Sequence, residues 1–233
     1  MSFEVYFVKE GRLLEEAQRL RYKVFFGDNC GKKDVDRYDQ FCEHLVVIDN
    51  TNNKVVGTYR LLLGKTAFQN IGFYSEQEFD LKNIKNNCGE SVLEIGRVCV
   101  EPSYRRHKII TLLWRKVFLY AVNNNVRYIF GCASIPYQSI DTISEIFQLF
   151  KRRFFSPDRF RVYPKGEKYP LVERVELKED IFFKIPSLMR EYLKMGAWVC
   201  GKPFWDDVFK TVDFFMLLDL KRLNSVYKNM FLK

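Results

Sequence analysis

The chain has 233 residues, 47% of them hydrophobic, which suits one full-size domain over residues 1–233 with a sizeable core. Its net charge of +9 asks for acidic partners: nucleic acid, an anionic membrane surface or an acidic protein. Six cysteines (Cys30, Cys42, Cys88, Cys99, Cys132, Cys200) form no C-x-x-C pair, which argues against metal and disulfide frameworks and for a reducing, cytoplasmic setting.

Met1-Ser2-Phe3-Glu4-Val5 lacks the basic and apolar regions of a signal peptide, and no apolar run reaches the roughly 18 residues needed to span a bilayer. A soluble or peripheral protein is expected. Phe3 to Val8 alternates as a first strand, and Leu13, Leu14, Ala17, Leu20, Arg21, Val24 and Phe25 recur at helical spacing over about 11–26. A polar, acidic loop runs from Gly27 to Gln40. Strands at about 43–49 and 54–63 flank Asn50-Thr51-Asn52-Asn53, a hairpin turn by composition. Gly64 to Glu90 reads as loop with at most one short helix.

A strand at about 92–100 precedes a helix at about 104–122, and a further strand follows at about 126–134. Thr142-x-x-Glu145 has the capping-box pattern for a helix at about 143–153, with an apolar stripe of Ile143, Ile146, Phe147 and Phe150 and a basic edge, Lys151 to Arg153. Pro186 and Gly196 bracket another helix. Strands at about 197–200 and 212–219 and a last short helix complete an α/β (α+β) order that fits a mixed sheet with helices on both faces.

One ordered series carries the chemistry. Tyr59-Arg60-Leu61-Leu62 is followed by Leu93-Glu94-Ile95-Gly96-Arg97-Val98-Cys99-Val100-Glu101-Pro102 and then by Arg105-Arg106. An apolar strand seldom takes up a carboxylate and a guanidinium unless they pair or work. Alternation puts Glu94 and Gly96 on one strand face and Arg97 on the other, unless a bulge intervenes. A basic turn at a helix start is a place where phosphate binds.

These blocks resemble the acyl-carrier-protein-dependent N-acyltransferases of the GNAT superfamily, in the hemolysin-like branch with the ornithine-acyl carrier protein N-acyltransferases. The resemblance runs from Leu20-Arg21-Tyr22-Lys23-Val24-Phe25 through His44-Leu45-Val46 and Phe73-Tyr74-Ser75-Glu76-Gln77-Glu78 to Gly201-Lys202-Pro203, Asp206 and Asp213-Phe214. It implies a GNAT-type, mostly antiparallel sheet. It also implies transfer of a long-chain acyl or 3-hydroxyacyl group from an acyl carrier protein thioester to the α-amine of an amino acid, ornithine foremost. No tightly bound cofactor and no metal are implied. The partners would be the acyl carrier protein and the amino-acid acceptor, with no nucleic acid and with room for peripheral contact on an anionic membrane's inner face.

Glu94 stands as general base or amine-positioning group, or as half of a structural pair. His44 offers proton transfer or a satisfied structural histidine. Backbone N–H groups near Val98, Cys99 and Val100 would meet the oxyanion. Asp34, Asp36 and Asp39 match the E-x-D-x-x-D acids of the related acyl-homoserine-lactone synthases. With Arg21, Arg60 and Arg97 they form a site scaffold, or one arginine binds the acceptor carboxylate. The first loop lacks the tryptophan usual in those synthases, which argues against lactone synthesis. Arg105, Arg106 and Lys108 would hold the single phosphate of a phosphopantetheine arm. Lys108 and Ile110 replace the glycines with which acetyl-CoA-dependent relatives cradle a pyrophosphate, which lowers the acetyl-CoA alternative. Asp206 holds the acceptor amine or forms a turn near Pro203. A basic nucleic-acid-binding module, suggested by charge alone, leaves Glu94 without a use.

Overall fold

The computed structural model describes residues 2–27, 31–166, 169–173 and 175–231, so Cys30 and part of the Gly27–Gln40 loop lie outside the described residues. In chain order the elements are β1 (Phe3–Val8), α1 (Arg12–Phe26), β2 (Glu43–Asp49), β3 (Lys54–Leu63) and α2 (Gly64–Gln69). Next come β4 (Phe79–Asp80), α3 (Lys82–Cys88), β5 (Val92–Val100), α4 (Ile109–Asn123), β6 (Tyr128–Pro136) and α5 (Ile140–Arg153). The last are β7 (Tyr163–Pro164), α6 (Ser187–Met195), β8 (Trp198–Val199), β9 (Phe204–Asp206), β10 (Thr211–Asp219) and α7 (Ser225–Phe231).

The described residues fall into two compact units, the first of residues up to 72, 93–126 and 228–231, the second of 73–92 and 127–227. In unit one, β1, β2, β3 and β5 pair antiparallel in that order. One face of these strands takes α1, through Ala17 and Leu20 packed with Val46, Ile48, Val55 and Cys99. Burying each large apolar side chain there contributes roughly 1.5–3 kcal/mol. The other face takes α4: Trp114 meets Tyr59 edge-on at 6.0 Å. Gly57 admits the helix, since a Cβ there would sit 2.6 Å from Ile109 Cγ2.

In unit two, β10 pairs antiparallel with β6 along its whole length and also with β8 and β9. The α5 stripe is buried as its spacing requires, and Phe150 meets Phe214 edge-on at 5.1 Å. Gly196 ends α6 at φ 102, a left-handed conformation that suits glycine.

Three expectations need correction. The stretch from Gly64 to Glu90 holds two helices and a strand; the polar sequence of α3, Lys82-Asn83-Ile84-Lys85-Asn86-Asn87-Cys88, conceals them because only Ile84 and Cys88 are buried. The cap of α5 is Ser139, whose hydroxyl accepts from the Thr142 N–H at 3.2 Å, so the helix starts earlier than Thr142 implies. Finally, α4 begins at Ile109, because a 3₁₀ turn at Pro102–Tyr104 and the bonds after it use up the basic residues first. Cations oppose the dipole of a first helical turn, and Arg105 and Arg106 precede that turn here.

Candidate functional site

The centre of unit one is a ring of six charged side chains. Arg21 comes from α1, Arg60 from β3 and Arg97 from β5; Asp34, Asp36 and Asp39 come from the loop after α1. Going round, Arg21 Nε lies 2.7 Å from Asp34, which lies 3.1 Å from Arg97 Nε. Arg97 Nη2 reaches Asp36 at 3.4 Å, and Asp36 meets Arg60 Nη1 at 2.7 Å. Arg60 Nη1 is 3.1 Å from Asp39, and Asp39 closes the ring on Arg21 at 2.9 Å. Each cation therefore serves two anions and each anion two cations.

The loop folds this way for local reasons. Asp34 N–H donates to the Gln18 carbonyl of α1, and Asp36 accepts from the Tyr38 N–H two residues on, at 2.8 Å. Arg21 is fully buried, and Asp34, Asp39 and Arg60 nearly so. Burial alone would raise the Asp39 carboxyl, but the hydrogen bond and charge of Arg21, with Arg60, hold it down at about 2. Burial likewise opposes the Arg60 charge, which Asp36 and Asp39 more than restore.

Arg97 enters the ring through a β-bulge. The β3–β5 register skips Arg97 and Val98, passing from Arg60↔Gly96 to Thr58↔Cys99. Arg97 sits at φ 52, a left-handed conformation that costs a branched-off side chain on the order of 1–3 kcal/mol. The bulge overrides simple alternation, so Arg97 reaches Asp36, which Arg60 also reaches. Exposure along β5 rises only at Gly96, Arg97 and Val98, and a Cβ at Gly96 would meet nothing within 4 Å.

Glu94 is buried on β5, paired in register with Leu62, two residues from the Arg60↔Gly96 pair and on the same face. His44 pairs in register with Arg60, is fully buried, and has Nε2 3.1 Å from the Asp39 carbonyl oxygen. Burial lowers its pKa, which keeps the ring neutral, with Nε2–H as the donor and Nδ1 without a partner. Cys99 packs under α1, and burial pushes its thiol up to about 12; Cys42, Cys88 and Cys200 reach a similar value for the same reason, and Cys132 is raised as well. None of the described cysteines is a ready thiolate.

Val100 ends β5, and the turn beyond it carries Arg105, Arg106 and Lys108, all exposed and without an ion pair among the described residues. Lys108 stands at the N-cap of α4 at φ −75, a conformation open to any residue, so a lysine is held there without strain. Asp206 belongs to unit two, where its Oδ1 accepts from the N–H groups of Val208 and Phe209. It is joined there by Glu78 and Asp213, all three buried, with carboxylate oxygens within 4.8 Å of one another. Glu78 and Asp213 stand in blocks that carry the family resemblance, but nothing in their own spacing marks either as a site residue.

Comparison with known proteins fits this geometry. The acetyltransferase (GNAT) domain model matches residues 20–115. An L-ornithine N(alpha)-acyltransferase of Brucella abortus (strain 2308) is 30% identical, over 97% of this chain and 87% of its own length. That of Agrobacterium fabrum (strain C58) is 28% identical over 97% and 84%. Among solved structures, the AHL synthase LasI has a TM-score of 0.53 at 10% identity, covering 99% of this chain and 93% of its own. BjaI, a CoA-dependent acyl-homoserine lactone synthase, gives 0.52 at 12%, over 94% and 82%. Likeness at such identity speaks for the fold alone. The near full-length match at 30% identity decides the matter: the chain belongs to the GNAT family that holds these L-ornithine N(alpha)-acyltransferases, and it is an N-acyltransferase.

Proposed function

We propose that residues 1–233 act as one GNAT-like domain that moves a long-chain acyl or 3-hydroxyacyl group from acyl carrier protein to the α-amine of ornithine, giving a lyso-aminolipid. The near full-length match to ornithine acyltransferases carries this reading. Glu94 takes a proton from the amine, directly or through water, and the nitrogen bonds to the thioester carbonyl carbon. Backbone N–H groups of the Val98–Val100 segment donate to the oxyanion, at the place where Arg97 and Val98 leave the β3–β5 register and Cys99 resumes it opposite Thr58. Collapse breaks the C–S bond, and the phosphopantetheine thiol leaves with the proton. No cysteine nucleophile is used, in keeping with the raised thiols.

The ring of Arg21, Asp34, Asp36, Asp39, Arg60 and Arg97 is the scaffold of the bulge, since its guanidinium groups are engaged by its own acids. His44 is a positioning residue that pins the loop through the Asp39 carbonyl. Arg105, Arg106 and Lys108 hold the phosphate of the carrier's arm. Asp206 meets the acceptor's ammonium. Acyl-acyl carrier protein is a substrate, and nothing is tightly bound. No helix among the described residues is long and apolar enough to cross a membrane. A cytoplasmic enzyme touching the membrane's inner face accords with the amphiphilic product.

The test is mass spectrometry of purified enzyme incubated with acyl-acyl carrier protein and an equimolar mixture of ornithine, lysine and glycine. N-acylornithine should dominate. Preferential acylation of another amino acid overturns the acceptor, and equal turnover with acyl-CoA overturns the donor.

A further inference from the structure

Beside the turn that carries Arg105 and Arg106, unit one has a half-open cleft of about 490 Å³ that no step above uses. Its cations are Arg19 and Lys23 of α1, Lys32 of the following loop, and Lys54 at the start of β3, all of them exposed. Its acids are Glu16, paired with Arg12 at 3.1 Å, and Glu101, which is buried. Glu101 lies 3.0 Å from Lys23 and 3.8 Å from Lys54, so it draws together an ammonium group from α1 and one from β3. Lys32 rests 5.9 Å over the Tyr22 ring and has no ion pair among the described residues.

The cleft is joined to the turn. Asn52, at the tip of the β2–β3 hairpin, donates from Nδ2 to Tyr104 Oη at 3.1 Å, and Tyr104 Oη donates to Asp49 at 2.8 Å. Hairpin tip, cleft wall and Arg105–Lys108 turn are thereby held as one basic face of unit one. We propose that this cleft is the docking site for the donor's carrier protein, whose acidic side chains enter between Arg19, Lys23, Lys32 and Lys54 while its arm reaches the turn. The inference rests on the carrier-protein reading above. Its argument is charge complementarity: four cations line the concave face against two acids, and Glu15 beyond the lining pairs with Arg19 at 3.0 Å. The balance remains basic, with Lys32 outside any ion pair among the described residues, and carrier proteins are acidic as a class. A concave cleft lined with cations fits side chains projecting from a folded protein better than the flat surface of a bilayer.

The experiment compares two donors, acyl-acyl carrier protein and acyl-pantetheine, which has the thioester without the protein. For Arg19→Glu with Lys32→Glu, KM for acyl-acyl carrier protein should rise about tenfold or more, the scale of lost electrostatic steering. KM for ornithine and turnover of acyl-pantetheine should be unchanged, which also reports that the variant is folded. Wild-type KM for the carrier should climb with salt, and that of the variant should climb less. If the double reversal does not fold, Lys32→Ala with Lys54→Ala carries the same test, with an expected rise of about threefold. An unchanged carrier KM overturns the proposal, as does a rise seen only on reversing Lys151 and Arg153 of α5. A wild-type enzyme that acylates no amine from either donor overturns the acyl-transfer reading itself.

Discussion

The base proposed at Glu94 would act through its proton and Arg21 acts through its charge, and the two are separable by experiment. Glu94→Gln keeps size and polarity, so turnover should fall about 10²–10⁴-fold with donor KM and thermal midpoint preserved. Near-normal turnover by the folded variant would remove the base assignment, and an insoluble variant would mark Glu94 as structural. Arg21→Leu leaves Asp34 and Asp39 facing each other without their shared cation. Denaturant titration should show a loss of about 3–5 kcal/mol, as for other buried pairs broken on one side. The six members of the ring could be picked out from the chain because charges in apolar runs and the acid spacing of the loop are unusual. Its closure could not, since the two contacts of Arg97 join residues more than 60 positions apart and depend on a bulge that alternation does not reveal. Glu78 is one acid of a polar run, Ser75-Glu76-Gln77-Glu78, and Asp213 a single acid in an apolar strand, so neither pattern reveals that they meet beside Asp206.

At the scale of the element, apolar runs and punctuation served well. The hairpin strands β2 and β3 and strand β5, buried along nearly their whole length, follow from apolar runs and an asparagine-rich turn, and helix α1 from an apolar stripe at helical spacing. Helix α4 was misplaced at its start, because a basic turn closed by backbone bonds has no apolar period to read. Its seat on β3 depends on Gly57: Gly57→Ala would press a methyl against Ile109 and should cost about 1–3 kcal/mol in chemical unfolding. The turn itself should matter to the donor alone. Arg105→Ala with Arg106→Ala should raise KM for acyl carrier protein several-fold more than KM for ornithine, and equal rises would refute phosphate binding there.

Across the molecule, acid should act through the ring. Asp39 has a folded pKa of about 2 against an ordinary 3.8, so its stabilising share is complete above about pH 4 and is lost as pH falls toward 2. The difference amounts to about 2 kcal/mol. His44 works in the same direction from higher pH: its folded pKa lies below 6.5, so the unfolded chain takes up the proton first and stability begins to decline beneath that value. Equilibrium unfolding followed from pH 7 to pH 2 should therefore show two successive losses, and His44→Gln should remove the first. A stability curve flat from pH 7 to pH 4 would refute the histidine's part.

A closed circuit of alternating charge also shapes how such a protein can change by descent. Any single replacement within the six leaves two neighbours short of a counter-charge, whereas a paired exchange of an arginine and an adjoining aspartate removes equal and opposite charges together. Substitutions around the loop should therefore enter lineages in couples, and a double-mutant cycle on Asp36 and Arg60 should return a coupling energy larger than either neighbour's surface pairs provide.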